Sequence, residues 1–213
     1  MEEGYVFSEV TQRVRRFRSR HPDAELISLG IGDVQGPICP AVTRAMARAV
    51  KEQSRRRSFH GYGPEQGYQF LRQAISAELT RRGAPVPARD IFINDGAKSD
   101  LGGLLDLLAP GGDALLCDPT YPAVRDDCRM RGLRPASLPG TEANGFLPLP
   151  PAGDGEVDAV YLCSPANPTG AVYDREQLAA WVEYARSHEA LLIFDSAYES
   201  FITDPKLPRS IYE

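Results

Sequence analysis

The sequence predicts an α/β fold, with a mostly parallel central sheet covered by helices. Two observations predict it. Short apolar runs recur at 91–94, 114–118, 157–163 and 190–194, of strand length and rich in β-branched, leucine and aromatic residues. Between them lie stretches whose apolar residues recur at helical spacing. Strands that are apolar nearly throughout are buried on both faces, which a parallel sheet with helices above and below provides.

At the N-terminal end, Val6, Phe7, Val10, Val14 and Phe17 mark an amphipathic helix, followed by a short apolar stretch from Leu26 to Leu29. Gly30, Gly32 and Gly36 with Pro37 make a turn-rich loop. Pro40 suits the first turn of a helix carrying Val42, Met46, Ala49 and Val50. Tyr68, Leu71, Ile75 and Leu79 mark the next helix, which ends at Gly83. A strand over 91–94 runs into Gly96, and a helix from Leu101 to Leu108 stops at Pro110. A strand over 114–118 and a helix over 122–131 follow. The Pro- and Gly-rich segment 139–155 is a surface connection leading to a buried strand over 157–163. Asp174 and Gln177 form a capping box that opens a helix through Trp181 and Tyr184, and Ala190 to Phe194 is the last strand.

A chain of 213 residues can hold one sizeable core, or one domain with a smaller appendage. Its formal charge of -5 leaves no footprint for nucleic acid or an anionic membrane, and the Arg55-Arg56-Arg57 run reads as a solvated face. Cys39, Cys117, Cys128 and Cys163 are scattered without a CxxC pair, which points to free thiols rather than a metal site or a disulfide framework. The N-terminus lacks the basic-then-apolar order of a signal peptide, and no apolar run reaches membrane-spanning length. The expectation is a soluble, cytoplasmic protein.

Ligands of parallel sheets bind beyond the carboxyl ends of the strands, so the residues after each strand carry the functional reading. Gly96-Ala97-Lys98-Ser99-Asp100 is either a plain connection with a helix cap or an anion cradle of free backbone N–H groups and a hydroxyl. It is neither a Walker loop nor GxGxxG, so a nucleotide is not indicated. Tyr121 either seals the sheet end or lays a flat ring beside a ligand. Asp195, at the end of Leu191-Leu192-Ile193-Phe194, either caps the following turn or faces a cation such as a protonated pyridine nitrogen. Tyr198 is either a half-buried tyrosine or a donor to a phenolate-like oxygen. In Ser164-Pro165-Ala166-Asn167-Pro168-Thr169-Gly170, two prolines fix the backbone around one side-chain amide, more constraint than a bare turn needs. Together these loops place a phosphate cradle, a flat ring, a rigid amide and a carboxylate on one edge of one sheet.

In these strings the sequence resembles the fold-type-I aminotransferases, which use pyridoxal 5'-phosphate. The resemblance implies that Asn167 and Tyr198 hold the O3' oxygen of that cofactor, that Asp195 pairs with its ring nitrogen, and that Tyr121 stacks on the ring. It implies that Ala97, Lys98 and Ser99 hold the phosphate, and that Tyr62 reaches it from the partner subunit of a homodimer. Three stretches resemble the branch acting on LL-diaminopimelate: Gly4-Tyr5-Val6-Phe7, Leu29-Gly30-Ile31-Gly32-Asp33-Val34, and Phe59-His60-Gly61-Tyr62-Gly63-Pro64-Glu65-Gln66-Gly67-Tyr68. From that branch Tyr5, Gly32, Lys98, Tyr121 and Asn167 are expected to contact substrate, an amino acid or a keto acid. The amino group would pass between glutamate and tetrahydrodipicolinate. An aminotransferase for another amino acid, and a non-catalytic cofactor-binding or dimerisation protein, are the alternatives.

The resemblance also implies an organisation. Residues 1–45 would be an N-terminal arm with part of a small domain, and 46–213 the cofactor-binding large domain, together about half of a family member. The chain departs from the pattern in carrying Ala166 where the branch often has asparagine, and in a short 139–155 connection. The lysine that holds the cofactor covalently is expected beyond Glu213, since neither Lys51, Lys98 nor Lys206 stands where the family has it. No catalytic residue is therefore assigned within these residues. The 213-residue chain alone is expected to be inactive, with an incomplete small-domain core.

Overall fold

The computed structural model describes residues 6–213 apart from 28, 30, 31, 33–35 and 154. The chain divides into two compact units, 1–60 and 61–213. In the first unit, α1 (Val6–Arg20) and α2 (Pro40–Gln53) form where the apolar spacing predicts them, with Pro40 in the first turn of α2. None of the residues from Ser8 to His60 whose burial is described is buried, and the apolar stripe of α2 (Val42, Met46, Val50) is exposed.

The second unit is the predicted α/β fold. It runs α3 (Gln69–Arg81), α4 (Ala97–Leu105), β1 (Asp113–Asp118), α5 (Pro122–Met130), β2 (Arg134–Pro139), β3 (Ala159–Cys163), α6 (Arg175–Ser187) and β4 (Leu191–Asp195). All four strands are parallel, in the order β2-β1-β3-β4. Alternate side chains go to opposite faces, and both faces are buried. One face gathers Ala114, Leu116, Ala159, Tyr161, Cys163 and Ile193 beneath α4 and α5 through Leu101, Leu105, Val124 and Cys128. The other gathers Leu115, Val160 and Leu162 beneath Tyr173 and, from α6, Leu178 and Trp181. The fully buried Trp181 indole and the Tyr173 hydroxyl both donate to the Pro148 carbonyl, at 3.2 Å each. This bonds the 139–155 connection to the core.

Three elements differ from the sequence expectation, the first being α4, which spans Ala97–Leu105 where the helix is expected from Leu101 to Leu108. Residues 91–94 form no strand. They run extended and make one ladder-like contact, Ile93 N–H to the Gln66 carbonyl at 3.0 Å. The apolar composition is that of a strand, but none of the four strands offers a partner, and extended backbone becomes sheet only when paired. Gly67 lets this segment approach: its φ is +93°, and a Cβ there would sit 2.5 Å from the Ile93 side chain. Conversely, β2 forms where the sequence reading places no element, and it carries Pro135 and Pro139. It forms at the sheet edge, the place where a missing N–H costs no ladder bond.

Candidate active site

The sheet order sets where a ligand can sit. From β1 the chain crosses through α5 outward to β2, then returns past β1 to β3 and crosses through α6 to β4. The crevice opens where these crossovers diverge, between the carboxyl ends of β1 and β3. The loops after Asp118, Cys163 and Asp195 line that edge.

Asp195 ends β4, half-buried and in register with Cys163 of β3. Its Oδ1 accepts from the Ala197 N–H at 3.0 Å, so the turn-capping reading holds for one oxygen. Its Oδ2 accepts from the Tyr161 hydroxyl at 2.8 Å. Tyr161 is buried in the middle of β3. Burial first, then the neighbouring Cys163 and Asp195, raise its pKa far above the usual tyrosine value, so the hydroxyl stays a donor. Burial, followed by the Asp195 charge, pushes the Cys163 thiol up to about 11, and that thiol donates to the Pro165 carbonyl at 3.2 Å.

The loop after β3 is held at several points. Ser164, buried, takes the Tyr173 N–H on its hydroxyl and gives its own N–H to the Asp195 carbonyl. The Ala166 N–H donates to the Ala171 carbonyl at 2.8 Å, and the Gly170 N–H to the Ala166 carbonyl at 2.7 Å. The Asp118-Pro119, Ser164-Pro165 and Asn167-Pro168 peptides are cis. Asn167 directs its side-chain amide to the Tyr198 hydroxyl at 3.3 Å. The loops after β3 and β4 therefore meet through two of the residues read from the sequence. Tyr121 caps the N-terminus of α5, half-buried against the cluster that contains Tyr161.

Gly96, at φ +146° (a conformation that favours glycine), precedes α4. The Ser99 and Asp100 N–H groups turn back to the Gly96 carbonyl, leaving those of Ala97 and Lys98 at the open helix end. Lys98 and Ser99 are exposed. Through Leu101 and Leu105, α4 packs on the core face that contains Tyr161.

Tyr62 is fully exposed and belongs to the second unit. Gly32 belongs to the first unit, with open space where a Cβ would stand, and Tyr5 lies outside the described residues. Sequence reasoning missed Tyr161. The signal was a single polar-tipped ring in an otherwise apolar strand, at the parity that reaches the Asp195 face. As a donor set, the open end of α4 offers N–H groups and a hydroxyl for an anion, and the sheet edge offers an amide and a phenol for an oxygen and a carboxylate for a cation.

Fold and edge define the class, an α/β protein whose parallel sheet carries polar side chains at its carboxyl edge. Residues 24–212 match the profile of the aminotransferase class I and II family, and the chain belongs to that family of fold-type-I, pyridoxal-phosphate-dependent enzymes. Among solved structures it is similar to L,L-diaminopimelate aminotransferase from Chlamydomonas reinhardtii, with 33% identity and a TM-score of 0.86, covering 100% of this chain and 54% of that one. It is likewise similar to substrate-bound BacF from Bacillus subtilis, with 33% identity and a TM-score of 0.82, covering 100% and 53%. A Thermus thermophilus aspartate aminotransferase variant, 23% identical with a TM-score of 0.79 over 92% and 51%, shares the fold. The chain spans about half the length of the solved structures it matches.

Proposed function

We propose that the edge formed by α4, β1, β3 and β4 holds pyridoxal 5'-phosphate. We further propose that the whole protein transfers an amino group between glutamate/2-oxoglutarate and tetrahydrodipicolinate/LL-2,6-diaminopimelate, in lysine biosynthesis. The observation that carries the cofactor reading is the Asn167–Tyr198 hydrogen bond beside the half-buried Asp195 carboxylate. The donor set supports the fit. Ala97, Lys98 and Ser99 at the open end of α4 suit a phosphate, Asn167 and Tyr198 suit the ring oxygen, and Asp195 suits a protonated ring nitrogen.

When bound, the cofactor supplies an electron sink for negative charge at the amino-acid Cα. The residues of this chain do the holding. Asp195 keeps the proton on the ring nitrogen by pairing with it. Asn167 and Tyr198 orient the ring through its oxygen, Tyr121 covers its face, and Ser99 with the helix-end N–H groups anchors the far end. Tyr62 serving the partner's site in a homodimer, Tyr5, Gly32 and Lys98 touching substrate, and a cytoplasmic setting belong to the same proposal. So does the division into residues 1–45, an arm with part of a small domain, and 46–213, the cofactor-binding large domain. No helix among the described residues is long and apolar enough to cross a membrane.

The substrate reading is supported by the LL-diaminopimelate-like stretches and by similarity to the Chlamydomonas enzyme over the whole chain. Another amino acid is the second reading, because the identity to BacF equals that to the Chlamydomonas enzyme, so identity does not single out one substrate. Absorbance titration of the purified protein with pyridoxal phosphate tests the site: Asp195→Asn and Ser99→Ala are each expected to weaken binding about tenfold or more. Unchanged affinity in both removes the proposed pocket. For the substrate, protein from the whole reading frame is incubated with LL-diaminopimelate and 2-oxoglutarate, and glutamate is measured. Turnover of a simple amino acid with none of LL-diaminopimelate overturns the substrate reading and leaves the cofactor reading intact.

A further inference from the structure

Tyr161 pairs with Ile193 across β3 and β4, and Cys163 pairs with Asp195. Side chains at these four positions share one face of the sheet. Asp195 lies two residues beyond the level of Tyr161, about 6–7 Å along the strand, a distance a phenol spans and a serine or threonine does not. The ring is 4% exposed, fixed in the core beneath α4 and α5. Its hydroxyl meets Asp195 Oδ2 at 2.8 Å, while the Ala197 N–H meets Oδ1 at 3.0 Å. Each carboxylate oxygen thus has one donor from the chain and keeps lone-pair capacity for another. With two anchors the plane of the carboxylate is set; with the Ala197 N–H alone it can turn about its last torsion.

A buried tyrosine needs a partner for its hydroxyl, and the other core tyrosine shows the inexpensive solution. The Tyr173 hydroxyl donates to a backbone carbonyl, that of Pro148. Tyr161 is directed instead to a charged group at the carboxyl edge. Among the described residues no other side chain donates to Asp195.

We propose that Tyr161 is a positioning residue, whose hydroxyl fixes the Asp195 carboxylate so that its free edge is presented to the protonated ring nitrogen of the cofactor. This rests on the reading of Asp195 given above. Because burial and its neighbours keep the hydroxyl protonated, Tyr161 acts as a fixed donor and takes no part in proton exchange.

The test is a double-mutant cycle read by pyridoxal phosphate titration of the purified protein, with no assay of activity. Tyr161→Phe is expected to weaken binding about tenfold, the loss typical when a group orienting a ligating residue is removed. In an Asp195→Asn background the same change is expected to add little, because there is no longer a carboxylate to orient. Tyr173→Phe, the buried tyrosine of the opposite core, is the control and is expected to bind like the unmodified protein. Binding of Tyr161→Phe at the unmodified affinity overturns the proposal, and so does an equal loss in both backgrounds, which is the mark of a merely structural role. If the unmodified protein binds no cofactor, or if Asp195→Asn binds as well as it does, the reading of Asp195 falls and the positioning role with it. Should Tyr161→Phe not fold, the unmodified protein with 13C-labelled tyrosine Cζ decides. The Tyr161 resonance is expected to shift on adding cofactor, and a resonance that does not move overturns the proposal.

Discussion

The Asn167–Tyr198 pair shows how the candidate site is assembled one side chain at a time. The amide and the phenol come from loops after different strands and share a 3.3 Å hydrogen bond. A phenol 40% exposed contributes little packing, so its removal is expected to affect the ligand more than the fold. Tyr198→Phe should weaken pyridoxal phosphate binding about fivefold to tenfold, the worth of roughly one hydrogen bond. The urea midpoint should change little. Paired titration and urea unfolding check this, and a stability loss as large as the affinity loss would make Tyr198 structural. Asn167, Asp195 and Tyr198 were legible in the sequence because prolines, a strand end and short spacing mark them. Tyr161 was not: a ring in an apolar strand reads as core, and only pairing with β4 reveals where its hydroxyl goes.

At the scale of elements, local chemistry predicted well wherever it was sufficient by itself. The capping box is present as read: Asp174 accepts from the Gln177 N–H at 2.8 Å, and Gln177 returns a contact to the Asp174 N–H at 3.0 Å. Asp174→Ala is expected to lower stability by about 1 kcal/mol, measured as a shifted urea midpoint with unchanged slope. Strands were less legible. Residues 91–94 have strand composition and no partner strand, whereas β2 has two prolines and a partner strand in β1. A helix closes its hydrogen bonds within itself, but a strand exists only where a neighbour and an edge position allow it.

For the whole molecule, the double-sided core makes stability dependent on groups that burial keeps neutral. The Cys163 thiol ionises near pH 9 when free and at about 11 in the fold. Tyr161 and Tyr173 are also raised, in both cases by burial first. Above the unfolded values the unfolded chain has lost these protons while the folded chain retains them. Stability is therefore fully present below about pH 9 and falls as pH rises. Urea unfolding at pH 8 and pH 10.5 is expected to show a lower midpoint at the higher pH. Cys163→Ala should flatten the part of that loss between pH 9 and about 11. A midpoint that is the same at both pH values, or a loss unaffected by Cys163→Ala, contradicts this account.

By itself the sequence determined the α/β class, the helix positions, the capping box and the strings after β1, β3 and β4 that carry the candidate site. These depend on periodicity and short-range chemistry, which a linear pattern records. The tertiary structure alone decided the order β2-β1-β3-β4, the prolines' place at an edge, the unpaired run at 91–94, and the contact between Tyr161 and Asp195. Each of these depends on which segments become neighbours. That is settled by burying both faces of one sheet, a condition on the whole chain that no local run of residues contains.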